Sequence, residues 1–366
     1  MSAPDVSTSR LARLAATLPT AHLDGLVVSS LPNIRWLTGF SGSNALLVIT
    51  PRERVLLTDF RYDAQARAEC GDAVRLVVES QSLWVGLWRE LPKLTGLEAI
   101  GFESQHLLHR DFARLLDPAQ GGRWTWRPVV DQVERLRAVK DAAEIAAITD
   151  AVRIAETALE QTLARIRPGM TELAICGTLE LALREAGSET APFEPIVASG
   201  ERSALPHARA SAREWRRGEL LLIDFGARSS GYVSDITRVV VAGPPDGRQA
   251  EIHGIVRGAN EAAAAAVHAG MTGRDADAVA RRYIEDYGFG DAFGHSLGHG
   301  IGLEVHEAPR LAKTADDVLP TGATVTIEPG VYLDGWGGVR IEDDVVLTPS
   351  GATVLTRFPR DLMSVA

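Results

Sequence analysis

The sequence predicts two domains: an α/β domain over residues 1–130 and an internally duplicated α+β domain over residues 131–366. Short apolar strands that alternate with helical stretches indicate the first domain. The second is indicated by two helices followed by an acid-bearing hairpin, a pattern that occurs twice about one hundred residues apart. A chain of 366 residues has the length of two domains.

In the first domain, the predicted elements alternate along the chain. Helical stretches begin near Ser9, Arg61, Leu83 and His106. The predicted strands are residues 26–28, 45–49, 55–58, 74–78 and 99–102. This alternation predicts a sheet of mixed or parallel strands flanked by helices, and no dense cluster of catalytic residue types occurs along it.

The second domain begins with a pair of helices. Asp141 and Glu144 form a capping signal, and apolar residues at helical spacing follow it until Pro168 and Gly169 stop the helix. A second helix is predicted from Thr171 to about residue 186. Another pair follows over residues 251–268 and 274–287, and Gly-Met-Thr separates the helices of both pairs.

Each helix pair leads to a Gly-rich segment and a predicted hairpin with two acids. Asp224 and Asp235 belong to the first hairpin, and Glu328 and Glu342 to the second. Two such hairpins, in register with two helix pairs, indicate an internal duplication whose halves bring the four acids to one central cleft.

The acids of the hairpins predict bound cations. Asp224 and Glu328 close apolar, strand-like runs, where burying an unpaired carboxylate costs several kcal/mol. Two divalent ions would neutralise four carboxylates, so we predict a dinuclear metal site. Exposed acids on surface hairpins are the alternative, which the apolar flanks disfavour.

Histidines support the same location. His207, His295, His299 and His306 fall near the predicted cleft, and His207 and His306 hold loosely corresponding positions ahead of the two hairpins. The segment 294–302 is rich enough in glycine for its backbone to approach a metal or ligand closely. A phosphate-binding loop competes with this interpretation, but such a loop needs a strand before it and a helix after it.

These residues resemble the metal-ligand set of the pita-bread metallopeptidases, the family of methionine aminopeptidase, aminopeptidase P and prolidase. The matching residues are Asp224, Asp235, His299, Glu328 and Glu342. The segments 196–207, 298–307 and 328–332 are similar to the Xaa-Pro peptidase branch, and residues 31–40 resemble its creatinase-type N-terminal domain. The resemblance covers essentially the whole chain and implies a pita-bread fold for the second domain.

The resemblance implies a division of labour among the five ligands. Asp224 would hold one metal ion, His299 and Glu328 the other, and Asp235 and Glu342 would bridge the two. The implied cofactors are two divalent ions, foremost Mn²⁺, with Co²⁺ or Zn²⁺ as alternatives. Oxygen ligands with a single imidazole suit such ions better than thiolate sites do.

Other residues would handle the substrate. His207 and His306 would contact the substrate carbonyl and the tetrahedral intermediate, and Glu328 would carry a proton to the prolyl nitrogen. Arg340 would orient a ligand carboxylate or bind substrate; a surface arginine on a strand is the alternative. Arg310 would capture the proline carboxylate of a dipeptide, although a lone loop arginine is usually just solvated.

The function implied by the resemblance is hydrolysis of the Xaa-Pro bond at the N-terminal residue. An Xaa-Pro dipeptidase (prolidase) is favoured, and an aminopeptidase P that acts on longer peptides is the alternative. A non-enzymatic binding protein and a creatinase-like hydrolase share the fold, but the intact ligand set disfavours both. The expected partners are a small peptide with proline at the second position and, through the N-terminal domain, a second copy in a homodimer.

Composition excludes other classes. A formal net charge of −10 argues against a nucleic-acid binder, which would show a basic face. No apolar stretch is long enough to span a bilayer, so no membrane partner is expected. Two cysteines far apart in the sequence indicate a reducing compartment, and we expect the cytoplasm.

Overall fold

A computed structural model describes residues 3–116 and 123–366, and the chain divides into two compact units, Met1–Arg137 and Ala138–Ala366. Residues 131–137, which the sequence predicts as the start of the second domain, belong to the first unit. Hydrogen bonds explain the difference. The Asn33 amide donates to Glu134 Oε1 and accepts from Arg137 Nη1, each at 2.6 Å.

The first unit is a six-stranded sheet with helices. Its strands are β1 Gly25–Val28, β2 Ala45–Ile49, β3 Arg54–Asp59, β4 Arg75–Glu79, β5 Ala99–Glu103 and β6 Thr125–Val129. Its helices are α1 Ala3–Thr17, α2 Leu31–Thr38, α3 Asp63–Cys70, α4 Leu83–Glu90, α5 His109–Leu115 and α6 Glu134–Arg137. The order β4-β3-β2-β1-β5-β6 includes both parallel and antiparallel pairs, which confirms the predicted mixed sheet.

Three elements of this unit were not predicted: strand β6, helix α2 and the short helix α6. Strand β6 lies at the sheet edge and is mostly exposed, so it lacks the apolar run that marked the other strands. Its Pro128 fits an edge strand, where a missing N–H is tolerated. Helix α2 is short, with Pro32 in its first turn, and ends at Gly39, whose φ of 82° is the left-handed conformation that glycine adopts readily.

The second unit contains two corresponding pairs of helices: α7 Ala142–Arg165, α8 Glu172–Glu185, α9 Gly247–Ala266 and α10 Gly273–Asp286. Asp141 caps α7 and Asp246 caps α9, each in a reciprocal capping box. Thr171 and Thr272 cap the second helix of each pair. Equivalent caps at equivalent places indicate two copies of one arrangement.

The strands of the second unit repeat in the same way. They are β7 Ile196–Ser199, β8 Leu220–Phe225, β9 Arg228–Ser229, β10 Tyr232–Val233, β11 Ile236–Ala242, β12 Gly298–Gly300, β13 Glu307–Leu311, β14 Thr324–Ile327, β15 Gly330–Leu333, β16 Gly337–Arg340, β17 Asp343–Thr348, β18 Gly351–Val354 and β19 Met363–Val365. Strand β8 pairs antiparallel with β11, and β14 with β17. A two-stranded ribbon, β9–β10 or β15–β16, lies between the partners in sequence. This repetition confirms the predicted duplication.

The sheets of this unit are β19-β11-β8-β7 and β13-β12-β14-β17-β18. Strand β8 is buried along its whole length because its two faces enter different cores. Leu220 and Leu222 pack with α9 and α10, whereas Leu221 and Ile223 pack with α7 and α8. A strand buried on both faces reads as an unbroken apolar run, which is why Asp224 stands out at its end. None of the described helices has the length and apolar character needed to cross a bilayer.

Candidate metal centre

The four hairpin acids lie where the paired strands meet their ribbons. Asp224 is in β8 opposite Thr237 of β11, and Asp235 directly precedes β11. In the second half, Glu328 directly follows β14 and Glu342 directly precedes β17. The duplicated hairpins therefore present one acid from each of their strands at the same end.

His299 lies close to acids from both halves of the second unit. Its Nε2 lies 3.4 Å from Glu328 Oε1 and 3.8 Å from Asp235 Oδ2. Asp235, His299 and Glu342 each offer one ligand atom within 4.8 Å of the others, and all three side chains are buried. The structure thus brings together four of the five residues predicted to hold metal.

Asp224, the fifth, is held by Arg340. Arg340 Nη2 donates to Asp224 Oδ2, and Nε donates to Thr237 Oγ1 at 3.0 Å. Thr237 in turn donates to Glu342 Oε2 at 2.6 Å. Arg340 is only 3% exposed, which excludes a surface arginine. Its contacts with ligand acids fit an orienting role, and its substrate contact stays a prediction.

Electrostatics explain why this cluster needs cations. Burial raises the pKa of Asp235 well above its usual range, and the charge of Glu342 raises it further. Burial also raises the pKa of Glu342, reinforced by Glu328 and Asp224. The pKa of Glu328 rises to about 8 through burial, against the opposing charge of Arg340. Without a cation, burial and mutual repulsion therefore favour the protonated forms of these acids.

The donor set fits two divalent ions. Asp224 Oδ1 and Asp235 Oδ1 are buried and accept no hydrogen bond from the described residues. Buried oxygens of this kind cost free energy unless a partner meets them. Four carboxylates and one imidazole supply oxygen-rich ligands and a charge that two dications balance.

His299 has the environment of a metal ligand. Its Nδ1 lies 3.1 Å from the carbonyl oxygen of Gly300, so a proton on Nδ1 leaves Nε2 free toward the acids. Burial lowers the pKa of His299 to about 4, with a further contribution from the charge of His306. The ring is therefore neutral at neutral pH and able to bind a cation.

The two predicted substrate histidines border this centre. The rings of His299 and His306 are 4.4 Å apart. His207 is exposed on the loop after β7. The pKa of His306 is lowered by burial first, and then by Arg310 and His207. The charge of His207 therefore acts on His306, which agrees with their predicted roles but does not test them.

Arg310 is exposed and lies opposite His299 in the pairing of β12 with β13. Its positive charge contributes to the lowered pKa of both His299 and His306, after the larger effect of burial. The charge of the Arg310 guanidinium therefore acts on the histidines of this centre. Its capture of a proline carboxylate stays a prediction.

His295 and Tyr332 contact each other in the structure, but the sequence predicted no role for either residue. His295 was counted among the histidines of the cleft, and Tyr332 was noted only as part of the 328–332 segment. His295 Nε2 lies 2.9 Å from the Tyr332 hydroxyl, and Nδ1 lies 4.0 Å from Glu328 Oε2. The Tyr332 hydroxyl also accepts from Arg340 Nη1 at 2.6 Å. These residues form a hydrogen-bonded border beside Glu328.

Asn260 was also missed. This fully buried residue of α9 donates from Nδ2 to the carbonyl oxygens of Ile327 and Ile341, at 3.0 and 3.2 Å. Those carbonyls belong to the residues directly before Glu328 and Glu342. One amide therefore ties together the two acids of the second hairpin. A signal existed, because Asn260 lies four residues after Val256 on the apolar face of α9.

Two family profiles match most of this chain. The profile of metallopeptidase family M24 matches residues 146–349, and that of the creatinase/prolidase N-terminal domain matches residues 10–139. An uncharacterized peptidase of Bacillus subtilis is 37% identical over 354 residues, which are 97% of this chain and 99% of that protein.

Two solved structures are similar over nearly the whole chain. An Xaa-Pro dipeptidase from Bacillus anthracis superposes with a TM-score of 0.94 at 37% identity, covering 98% of this chain and 99% of that one. An X-Pro aminopeptidase from Thermotoga maritima superposes with a TM-score of 0.89 at 39% identity, covering 97% and 99%.

Proposed function

Because the chain belongs to metallopeptidase family M24, with a creatinase/prolidase N-terminal domain, we propose that it hydrolyses the bond between an N-terminal residue and proline. The observation that carries the proposal is the meeting of acids from both hairpins at His299, beside the ring of His306. Relatives that share the fold are an Xaa-Pro dipeptidase and an X-Pro aminopeptidase.

We propose two divalent ions as the cofactors, Mn²⁺ foremost and Co²⁺ or Zn²⁺ as alternatives. Asp224 would hold one ion, His299 and Glu328 the other, and Asp235 and Glu342 would contact both. When bound, such ions polarise a peptide carbonyl and make a water nucleophilic at neutral pH. The unpartnered oxygens of Asp224 and Asp235 support this assignment.

The side chains of the chain would position the peptide and move protons. His207 and His306 would donate hydrogen bonds to the carbonyl oxygen, where negative charge develops. Glu328 would take a proton on its carboxylate and deliver it to the prolyl nitrogen, which must leave protonated. An Xaa-Pro bond is a tertiary amide without N–H, so recognition would depend on the carbonyl and the termini.

We favour the dipeptidase over the aminopeptidase because Arg310 is available for the proline carboxylate. The test compares Ala-Pro with Ala-Pro-Ala under added Mn²⁺, Co²⁺ or Zn²⁺, with Ala-Ala as the control peptide. Faster hydrolysis of Ala-Pro-Ala would overturn the dipeptidase assignment, and hydrolysis of neither proline peptide would overturn the proposed function.

A variant sharpens the choice. Arg310→Met should raise KM for Ala-Pro by about tenfold or more, because a charge-assisted hydrogen bond contributes roughly 1.5–3 kcal/mol. Ala-Pro amide has no terminal carboxylate, so its KM should be the same with wild type and with Arg310→Met. Equal KM changes for the two substrates would remove Arg310 from carboxylate binding.

We also propose a cytoplasmic homodimer. Cys70 and Cys176 are buried and unpaired, which suits a reducing compartment. The creatinase/prolidase N-terminal domain would provide the dimer contact. Light scattering of the purified protein tests this assembly, and a monomer would contradict it.

A further inference from the structure

Glu172, the first residue of α8, is a fully buried acid outside the metal centre. Its Oε1 accepts from the Ser199 backbone N–H at 2.8 Å and from Ser199 Oγ at 2.9 Å. Its Oε2 accepts from the Ser211 backbone N–H at 3.0 Å, from Ser211 Oγ at 2.6 Å and from Arg202 Nε at 3.1 Å. One carboxylate therefore gathers donors from three residues.

Those three residues belong to one loop, which we call the His207 loop and define as residues 199–211. Ser199 opens this loop and Ser211 closes it, so Glu172 holds both of its ends. Arg202 adds a tie within the loop, because its Nη2 donates to the carbonyl oxygen of Arg209 at 2.6 Å. His207 is exposed between these fixed points.

The other side of the His207 loop rests on the ribbon next to the metal centre. The backbone N–H of Gly338 donates to Ser203 Oγ at 2.8 Å. A side chain at Gly338 would collide with the carbonyl oxygen of Ser203, so the loop and the ribbon are in close contact. Arg340, which binds Asp224, also donates to the carbonyl oxygen of Pro206 at 3.4 Å. The loop whose ends Glu172 holds therefore also contacts the ribbon and Arg340, the partner of Asp224.

The second half of the duplication repeats this device. Asp277 of α10 is 1% exposed and accepts from the backbone N–H of Leu297 at 3.0 Å. It also pairs with Arg281, whose guanidinium donates to the carbonyl oxygens of Phe293 and His295, both at 2.8 Å. In each half, a buried acid on the second helix holds a loop that carries a histidine of the cleft.

We propose that Glu172 is a positioning residue for His207. By holding both ends of the His207 loop, it places the imidazole over the cleft without contacting substrate or metal. This role rests on the proposed function, in which His207 contacts the substrate. A misplacement of about 1 Å in such a group can lower a rate by about a hundredfold.

The test is Glu172→Gln, which keeps the size of the side chain but places an NH₂ group against N–H donors. We expect kcat/KM for Ala-Pro to fall by about 10–100-fold, with an unchanged dissociation constant for Mn²⁺. In a His207→Ala background, the same change should cost less than about twofold, because the histidine to be positioned is gone. Glu180→Gln, an equal change on the exposed side of α8, is the matched control and should leave kcat/KM unchanged.

Hydrogen exchange gives a second readout that does not need activity. Backbone amides of residues 199–211 should exchange faster in Glu172→Gln than in wild type or Glu180→Gln. If Glu172→Gln does not fold, Ser211→Ala removes one donor and should shift rate and exchange in the same direction by less.

These readouts separate the two proposals. Wild-type enzyme that cleaves no Xaa-Pro peptide would overturn the function but leave the exchange result standing. Unchanged exchange of the loop, or a rate loss that persists in full without His207, would overturn the positioning role.

Discussion

Glu328 has its two oxygens directed to different neighbours. Oε1 lies 3.4 Å from His299 Nε2 and accepts from Thr326 Oγ1 at 3.2 Å, whereas Oε2 lies 4.0 Å from His295 Nδ1. Burial raises the pKa of Glu328 to about 8, and the charge of Arg340 opposes this rise. A bound cation would favour the ionised carboxylate, which is the form that accepts a proton. One oxygen can thus serve a metal ion while the other serves proton transfer.

The prediction at this scale is that Glu328→Gln lowers kcat for Ala-Pro by about 10²–10⁴-fold, because an amide cannot accept the proton. Steady-state kinetics at saturating Mn²⁺, with metal content measured on the same sample, check it. Glu328→Asp, which keeps a carboxylate, should retain more activity than the amide. Turnover within tenfold of wild type in a fully metal-loaded Gln variant would contradict the role.

The sequence predicts the positions of some functional residues better than those of others. The hairpin acids were recognisable because each stands at the end of an apolar strand, where an unpaired charge is costly. The contact of His295 with Tyr332 joins residues 37 positions apart and depends on how the loop of His295 packs against strand β15. No spacing rule predicts such a contact, so a role for these two residues needed the structure.

At the scale of elements, the duplication was the predictable feature. Helix caps, the repeated Gly-Met-Thr and strands ending in acids are all local signals, and local signals survive in the fold. The edge strand β6 and the short helix α2 carried weak signals because neither is a long, periodic apolar segment. Their formation depends on partners that are distant in sequence, namely β5 for the strand.

Helix α9 supports the second hairpin through Asn260, and this contact makes a prediction. Asn260→Leu removes two hydrogen bonds to the carbonyl oxygens of Ile327 and Ile341 and leaves both buried. We expect the affinity for Mn²⁺ to fall by about 10–100-fold, because Glu328 and Glu342 follow those carbonyls directly. Titration calorimetry on metal-free protein measures this change.

The matched control for Asn260→Leu is Gln249→Leu on the same helix. Gln249 Nε2 also donates to a backbone carbonyl oxygen, that of Gly218 at 2.7 Å, away from the metal-binding ends of the hairpins. This variant should lower stability without changing Mn²⁺ affinity. Equal losses of affinity in the two variants would show that α9 acts only through general stability.

For the whole molecule, the protonation of buried histidines links stability to pH. His253 of α9 is 4% exposed, and burial, followed by the charge of Arg257, lowers its pKa to about 4. The unfolded chain binds this proton near the usual pKa of about 6.5, so unfolding takes up a proton between these values. The free energy of unfolding must therefore fall as pH decreases from about 6.5 to about 4, and be unaffected by His253 above that range.

The corresponding prediction concerns His253→Leu. Between about pH 4 and about pH 6.5, the free energy of unfolding should depend less steeply on pH in the variant than in wild type. The difference in slope should be about 1.4 kcal/mol per pH unit. Urea unfolding of metal-free protein at pH 5.0, 5.5, 6.0 and 7.5 measures the difference. Parallel curves for the two proteins would show that His253 is protonated in the folded state.

Metal binding should act on the whole second unit because its ligands come from both halves. Asp224 and Asp235 belong to the first half, while His299, Glu328 and Glu342 belong to the second. Bound ions would therefore link the halves and offset the burial and the repulsion that raise the pKa of Asp235 and Glu342. A ligand present at one hundred times its dissociation constant stabilises the folded state by about 2.7 kcal/mol per site.

We therefore predict that chelation lowers the melting temperature of the Ala138–Ala366 unit by about 5–15 °C and leaves that of Met1–Arg137 unchanged. Calorimetry with and without chelator measures the shift, and hydrogen exchange in β8 and β14 assigns it to the second unit. The double variant Asp235→Asn, Glu342→Gln should melt at the same temperature with and without Mn²⁺, because the two acids proposed to contact both ions are gone. A chelator effect that persists in this variant would place the stabilising metal elsewhere in the chain.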